Sequence, residues 1–442
     1  LPPSKHYTFD PTRNDAAIGM DLINDTDDKG WRLPYEDYPF ATCEIGSGLP
    51  IAYKRRSVIS PMDAYALSLV KLGCGNNLVG YYMYHGGTNK IGALSTLQES
   101  GATGYPNDYP ILNYDFNTCL TQYGEVRGQY RLLNLLHLFI NDFGDRLAPM
   151  EYTPSESYVN ENDKVHLRYC MRTDGESGFV FINHYQRFLS LSDIDDAVID
   201  TGKVVFPPIN VRGETAFILP FKLKLGEEEL IYSTAQLLYK DRDTVFFASI
   251  PGIKPVFSFK DMDIFTMSED EIEIKKTGDL NIVSIPWEKS LYLRKLDTGV
   301  YLGEGCDLYI KDGRISSAEA GDYSYLVWNN GGFERIVCEE GSKARPILTM
   351  EPCDEPYSPP FIEEFRLGKE RPLKWYSLKA DTEDGFISID LKCDVAQIYA
   401  DKELRADLFC FGQPWRFPAK LIYGRESYLV CTEFNKDVYI DP

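Results

Sequence analysis

The stretch from Tyr38 to Asn89 constrains the fold more than any other, because it reads as strand, helix and strand in that order. Tyr38 to Cys43 is extended and mostly apolar, and Glu44 follows at its C-terminal end. Gly46 and Gly48 then allow a tight turn. The helix beyond is signalled at both ends: Ser60 supplies a cap, Pro61 suits the first helical position, Asp63 completes a capping pattern and Gly73 is the stop. Met62, Tyr65, Ala66, Leu69 and Val70 recur at helical spacing and mark its buried face. A second apolar strand, Leu78 to Tyr84, runs into the loop His85-Gly86-Gly87-Thr88-Asn89. Two strands joined in this way run parallel. In parallel α/β folds the C-terminal strand ends carry the chemistry, and Glu44 stands at such an end.

Around this unit the chain changes texture twice. Residues 1–37 are polar and rich in turn formers, and read as a long loop. Lys90 to Leu120 is irregular. A second helix is expected from Tyr123 to Phe143, with Val126, Tyr130, Leu133, Leu136 and Ile140 along one face and Gly144 as terminator. Beyond Pro149, short runs such as VHLRYCMR, GFVFINHY, AFILPFKL and LIYSTAQLLY alternate with turn clusters, the pattern of β-sandwiches. This divides the chain into residues 1–150, a β-sandwich domain at 151–260, a β domain at 261–360 and a last β module at 361–442. In the last, IYADKEL reads as a hairpin inside a jelly-roll-like module.

Several function classes are disfavoured. The 442 residues carry a net charge of −21, which makes nucleic acid an unsuitable partner. No apolar run approaches the ~20 residues that a membrane span needs. Ten cysteines are scattered with no CxxC pair, so no structural zinc site is expected, and Cys43 and Cys74 read as buried thiols. The lone Gly86-Gly87 pair lacks the spacing of a phosphate loop, and no cofactor is expected.

TCEIGSG followed by GYYMYHGGTN resembles the last two barrel strands of family 35 of the glycoside hydrolases, the β-galactosidases. STLQESGATGYPNDYPILNYDF and QYGEVRGQYRLLNLLHLFINDFG are similar to the loop and final barrel helix that follow in that family. The resemblance covers residues 1–150 and implies a fold of α/β plus all-β class: the C-terminal portion of a (β/α)8 TIM barrel, followed by β-sandwich and jelly-roll domains. It implies a retaining exo-glycosidase that acts on terminal β-galactosyl residues, in the periplasm or secreted.

Retention needs two carboxyl groups about 5–5.5 Å apart, one as nucleophile and one as acid/base. On the resemblance, Glu44 is the nucleophile, and Tyr82 is the tyrosine whose phenol approaches it. His85 lies at the barrel mouth as a further substrate contact; no metal site is expected around it. Asn113-Tyr114-Asp115-Phe116-Asn117 aligns with the family's Ser-Tyr-Asp-Tyr-Asp, which keeps Tyr114 as a sugar contact and replaces the second tyrosine by Phe116. The family's tryptophan a few residues after the nucleophile is absent from GSGLPIAYKRR. The acid/base belongs to an Asn-Glu pair on the fourth strand. Asn160-Glu161 is the pair present here, but it lies in a polar turn and is rejected. The acid/base and the first six strands are therefore expected upstream of Leu1, so residues 1–442 alone are expected to be inactive on aryl β-galactosides, and the uncovered edge suggests a second copy as partner. The alternatives are a non-catalytic carbohydrate-binding protein on a degenerate glycosidase barrel, or a β-glucosaminidase or β-glucosidase. Arg55-Arg56 reads as a solvated pair, and Trp375 and Trp415 as core residues or sugar-stacking faces.

Overall fold

Strand β1 (Ala41–Ile45), the short strand β2 (Arg55–Ser57), helix α1 (Pro61–Gly73) and strand β3 (Leu78–Tyr81) follow one another along the chain. The structure, a computed structural model, describes residues 37–155, 163–319, 321–329, 331–340, 345–366 and 370–441. β1 and β3 pair in parallel, with Ala41 opposite Leu78 and Thr42 opposite Val79, and they form a two-stranded sheet of their own. Glu44 lies inside β1 rather than after it, and β3 ends at Tyr81 rather than Tyr84. The pairing runs out there: the Tyr82 N–H still bonds the Ile45 carbonyl at 3.0 Å, after which the chain turns away.

The capping pattern forms in full. The Asp63 N–H donates to the Ser60 hydroxyl at 3.2 Å, and the Ser60 N–H donates to the Asp63 carboxylate at 2.8 Å. Asp63 is buried, and its carboxylate also accepts from the Tyr185 hydroxyl at 2.7 Å and from Arg187, which fastens the helix start to the β region. At the other end Gly73 is required by closeness. A Cβ there would stand 2.8 Å from Cβ of Phe181 and 2.9 Å from Sγ of Cys170.

Strands β4 (Gly87–Thr88) and β5 (Asn113–Tyr114) pair antiparallel ahead of helix α2 (Gly128–Leu147). The second helix thus begins later than Tyr123, because Gly124 has φ +87° and Thr121 to Arg127 form a hydrogen-bonded loop. It also runs through Gly144 to Leu147. Its last turn is held by Arg172, a fully buried guanidinium that donates to the carbonyls of Leu147, Met150 and, at the end of α1, Leu72. Carbonyls at a helix C-terminus are short of donors, and one guanidinium here serves both helices.

Strands dominate the rest, and helices are few. A seven-stranded antiparallel sheet spans Glu151–Pro154 to Phe265–Thr266, and a four-stranded sheet contains Gln236–Asp241, Thr244–Ser249, Leu280–Pro286 and Glu273–Thr277. LIYSTAQLLY is two strands, not one. Glu228–Ser233 belongs to the first sheet and Gln236–Asp241 to the second, with the crossing at Thr234 and Ala235. One continuous core joins α1 and α2 to both sheets through Leu69, Leu136, Phe139, Phe179, Leu237 and Val283.

A further four-stranded sheet covers Leu293–Leu296 to Gly332–Cys338. The last module has a five-stranded sheet built from Leu348–Cys353, Leu373–Ala380, Ser427–Thr432, Val395–Ala400 and Glu403–Phe409. Its hairpin turns at Asp401 (φ 54°) and Lys402 (φ 66°), both left-handed, the geometry that matches the twist of the flanking strands. Near the end of the chain Tyr439–Asp441 adds in parallel to β2. Arg56 of β2 is not solvated: it is fully buried against Asp394 of the last module, with which it forms an ion pair. Cys74 is buried as expected, whereas Cys43 is exposed, because nothing among the described residues covers that side of β1.

Candidate functional site

Three of the four candidate residues gather at the C-terminal end of the β1–β3 pair. Glu44 is exposed one residue before Ile45, and Ile45 receives the Tyr82 N–H. Tyr82 is 41% exposed, and its hydroxyl meets that of Tyr114 at 2.9 Å. This differs from the expected contact between the Tyr82 phenol and the nucleophile. Among the described residues, no hydrogen bond reaches the Glu44 carboxylate. His85 is exposed in the loop after β3, where its backbone bridges to Leu120, and no hydrogen bond joins its ring to the tyrosine pair. Asn160 and Glu161 fall outside the described residues.

Phe116 completes an aromatic group with the two tyrosines. Its ring lies edge-on to Tyr114 at 4.7 Å and to Tyr82 at 5.5 Å between centroids. The chain reaches this position through two consecutive left-handed residues, Phe116 (φ 61°) and Asn117 (φ 48°). Their backbone presses on the turn after β1. A Cβ on Gly48 would lie 2.2 Å from the Phe116 carbonyl oxygen, so GSG allows this contact where a larger residue would not. Between them, the hydroxyls of Ser47 and Thr118 meet at 2.6 Å, and both reach the Met83 carbonyl. The turn after β1, the exit from β3 and the loop after β5 are thereby locked together.

Two carboxylates hold Tyr114 in place, and neither was legible as such in the sequence. Asp115 accepts from the Asn117 N–H at 3.1 Å, the Gln122 N–H at 2.7 Å and Arg127 at 2.6 Å. Asp407, buried in the last module, accepts from the backbone N–H groups of Ile111, Leu112 and Asn113. Burial pushes the Asp407 carboxyl up to about 6, against the pull of those N–H donors. The Tyr114 hydroxyl is also pushed up, first by burial and then by its bond to Tyr82, so it stays a neutral donor.

Beyond Tyr114 lies a cavity of about 550 Å³ between the 109–129 loop and the last module, with Phe116, Gln122, Tyr123, Phe411 and Trp415 among its lining. Glu44, Tyr82 and His85 are not part of that lining. Charges around it are paired, Arg416 with Glu125 at 2.6 Å and Arg127 with Asp115 at 2.6 Å. Trp375 and Trp415 are each 4% exposed; Trp375 is enclosed, and Trp415 only borders the cavity without an open face for a sugar to stack on.

Chemically, the arrangement offers an open carboxylate on β1 and, around Tyr82, Tyr114 and Phe116, a separate group of aromatic faces and hydroxyls. Two hydroxyls that share one hydrogen bond keep one O–H to donate outward. Such donors and aromatic faces suit a neutral polyhydroxylated ligand. Among the described residues no group of three or more His, Cys, Asp or Glu is placed to hold a metal ion, and no helix is long and apolar enough to cross a membrane. In comparison with known proteins, no protein-family model matches this chain, and no curated protein matches it in sequence.

Proposed function

We propose that this chain belongs to a retaining exo-glycoside hydrolase of the family 35 kind, acting on terminal β-galactosyl residues, with Glu44 as the nucleophile. On this reading β1, α1, β3 and α2 are the end of a (β/α)8 barrel. The observation that carries it is the parallel pairing of β1 with β3, which sets Glu44 and Tyr82 at the same C-terminal end, next to Tyr114. In a parallel barrel that end is where catalytic side chains collect.

The chemistry follows from the residues. The Glu44 carboxylate attacks the anomeric carbon and displaces the leaving group, and water then releases the sugar. The Tyr82–Tyr114 pair orients the sugar with its remaining O–H, and Phe116 closes the aromatic wall where a hydroxyl would otherwise stand. Acid assistance to the leaving group comes from a second carboxyl group, to which no residue is assigned. Substrates that carry their own good leaving group need little of it.

The test is therefore turnover of 2,4-dinitrophenyl β-galactoside by the whole enzyme and by its Glu44→Gln variant. Release of dinitrophenolate that falls by two orders of magnitude or more in the variant, with unchanged folding, supports the reading. Equal release by both overturns Glu44 as the nucleophile.

A further inference from the structure

A cluster of three thiols in the last module takes no part in the site described above. Cys393 precedes the strand Val395–Ala400, Cys410 follows the strand Glu403–Phe409, and Cys431 lies in Ser427–Thr432 opposite Ala396. All three are buried in the core of the module. The Sγ atoms of Cys393 and Cys410 are 3.1 Å apart, seventeen positions apart in sequence. A covalent S–S bond is about 2.05 Å, so closing it asks for a displacement of about 1 Å. The backbone already holds the two ends together: Val395 pairs with Phe409, and the Cys410 N–H donates to the Asp394 carbonyl at 2.9 Å.

These same two chain points grip Arg56. Its Nη1 donates to the carbonyls of Asp394 at 2.9 Å and Cys410 at 2.7 Å, while Nη2 pairs with the Asp394 carboxylate. That carboxylate also binds Arg371 at 2.7 Å and the Tyr53 hydroxyl at 2.7 Å. Arg56 and Asp394 are both fully buried, and they join the segment just before α1 to the last module. A buried pair of this kind depends on its geometry, since the Arg56 charge loses its carboxylate if Asp394 moves.

We propose that Cys393 and Cys410 are a disulfide-forming site, oxidised by a low-molecular-weight disulfide, and that the bond clamps the socket that holds Arg56. One cysteine, as thiolate, attacks the oxidant's disulfide and releases one thiol. The second cysteine then attacks the mixed disulfide and releases the other. The protein loses two hydrogen atoms, and the oxidant is reduced to two thiols. In the folded module the neighbouring thiols and burial push the Cys393 thiol well up, which makes exchange slow, so the bond is set while the module folds. Cys431 is the competitor, because it also contacts Cys393.

The experiment is to refold the full chain in a mixture of oxidised and reduced glutathione, block free thiols under denaturing conditions, and map the peptides without reduction. The expected result is a Cys393–Cys410 linked peptide, together with an unfolding equilibrium constant lowered by about tenfold or more relative to the fully reduced chain. Cys431→Ser should keep both the link and the shift. Blocked thiols at Cys393 and Cys410, or a link from Cys393 to Cys431 instead, overturns the site. A correct link with no change in unfolding overturns the clamp. Because the map is made on the wild-type chain, it needs no variant at Cys393 or Cys410.

Discussion

The hydroxyls of Tyr82 and Tyr114 meet at 2.9 Å, which joins the exit of β3 to strand β5 across thirty-two positions of sequence. Both residues serve the proposed sugar site, so the bond separates two kinds of effect. Tyr82→Phe removes one partly exposed hydrogen bond, and stability should fall by no more than about 1 kcal/mol. The rate at which an activated galactoside modifies or turns over on Glu44 should fall by about tenfold or more, because the Tyr82 oxygen is lost and the Tyr114 hydroxyl is no longer held in place. Thermal unfolding and single-turnover kinetics on one preparation measure both. An unchanged rate would remove Tyr82 from the site.

Arg172 is predicted to matter for folding alone. It is fully buried, and with no carboxylate partner among the described residues it donates to the carbonyls of Leu72, Leu147 and Met150 and to Asn77. Burial pulls its pKa below the usual arginine range. Arg172→Ala leaves those carbonyls unsatisfied and opens a cavity, and should cost about 3–5 kcal/mol in urea unfolding. Arg172→Lys should recover little, because one ammonium cannot span acceptors on two helices. A loss below about 1 kcal/mol would contradict this role.

Much of the first unit was legible. Ser60, Pro61 and Asp63 are local signals, and the helix they announce starts where they say. What was not legible depends on partners far along the chain. The start of the second helix was read at Tyr123, yet Gly124 has φ +87° and Thr121 to Arg127 close a loop on themselves, while Asp407 holds Ile111 to Asn113 from almost three hundred residues away. Arg172 and Arg56 read as ordinary charged residues, because their acceptors are backbone carbonyls and a distant acid. In the site, the resemblance brought Glu44, Tyr82 and Tyr114 forward. The anchoring role of Asp115 and the Ser47–Thr118–Met83 lock gave no signal, since an acid and two hydroxyls in a polar loop have no periodicity to mark them.

His137 gives the fold a pH dependence of known sign. It is half-buried beneath β3, where its Nε2 lies 3.1 Å from the Tyr81 hydroxyl, and desolvation there lowers its pKa to about 4. The unfolded chain takes up this proton near pH 6.5, so between there and about pH 4 it binds more protons than the folded chain. Stability from this group is present above pH 6.5 and is lost as the pH falls, by on the order of 2–3 kcal/mol. Asp407, raised to about 6, works in the opposite direction: its contribution is lost as the pH rises from about 4 to 6. Comparison with His137→Gln, which keeps a hydrogen-bonding partner for Tyr81 and does not titrate, cancels the Asp407 part. The variant should lose less stability than the wild type on going from pH 7 to pH 4.5. Parallel stability curves would contradict a histidine kept neutral by its surroundings.

The central claim is that Glu44 becomes covalently bonded to the sugar, and covalent trapping tests it most directly. 2-Deoxy-2-fluoro-β-galactosyl fluoride carries its own leaving group, and its fluorine slows release of the glycosyl-enzyme, so the intermediate accumulates. Intact mass should show one added fluorosugar per chain, and peptide mapping should place it on Glu44, within the sequence TCEIGSG. A label on any other carboxylate, or none in a preparation that turns over 2,4-dinitrophenyl β-galactoside, would contradict the assignment.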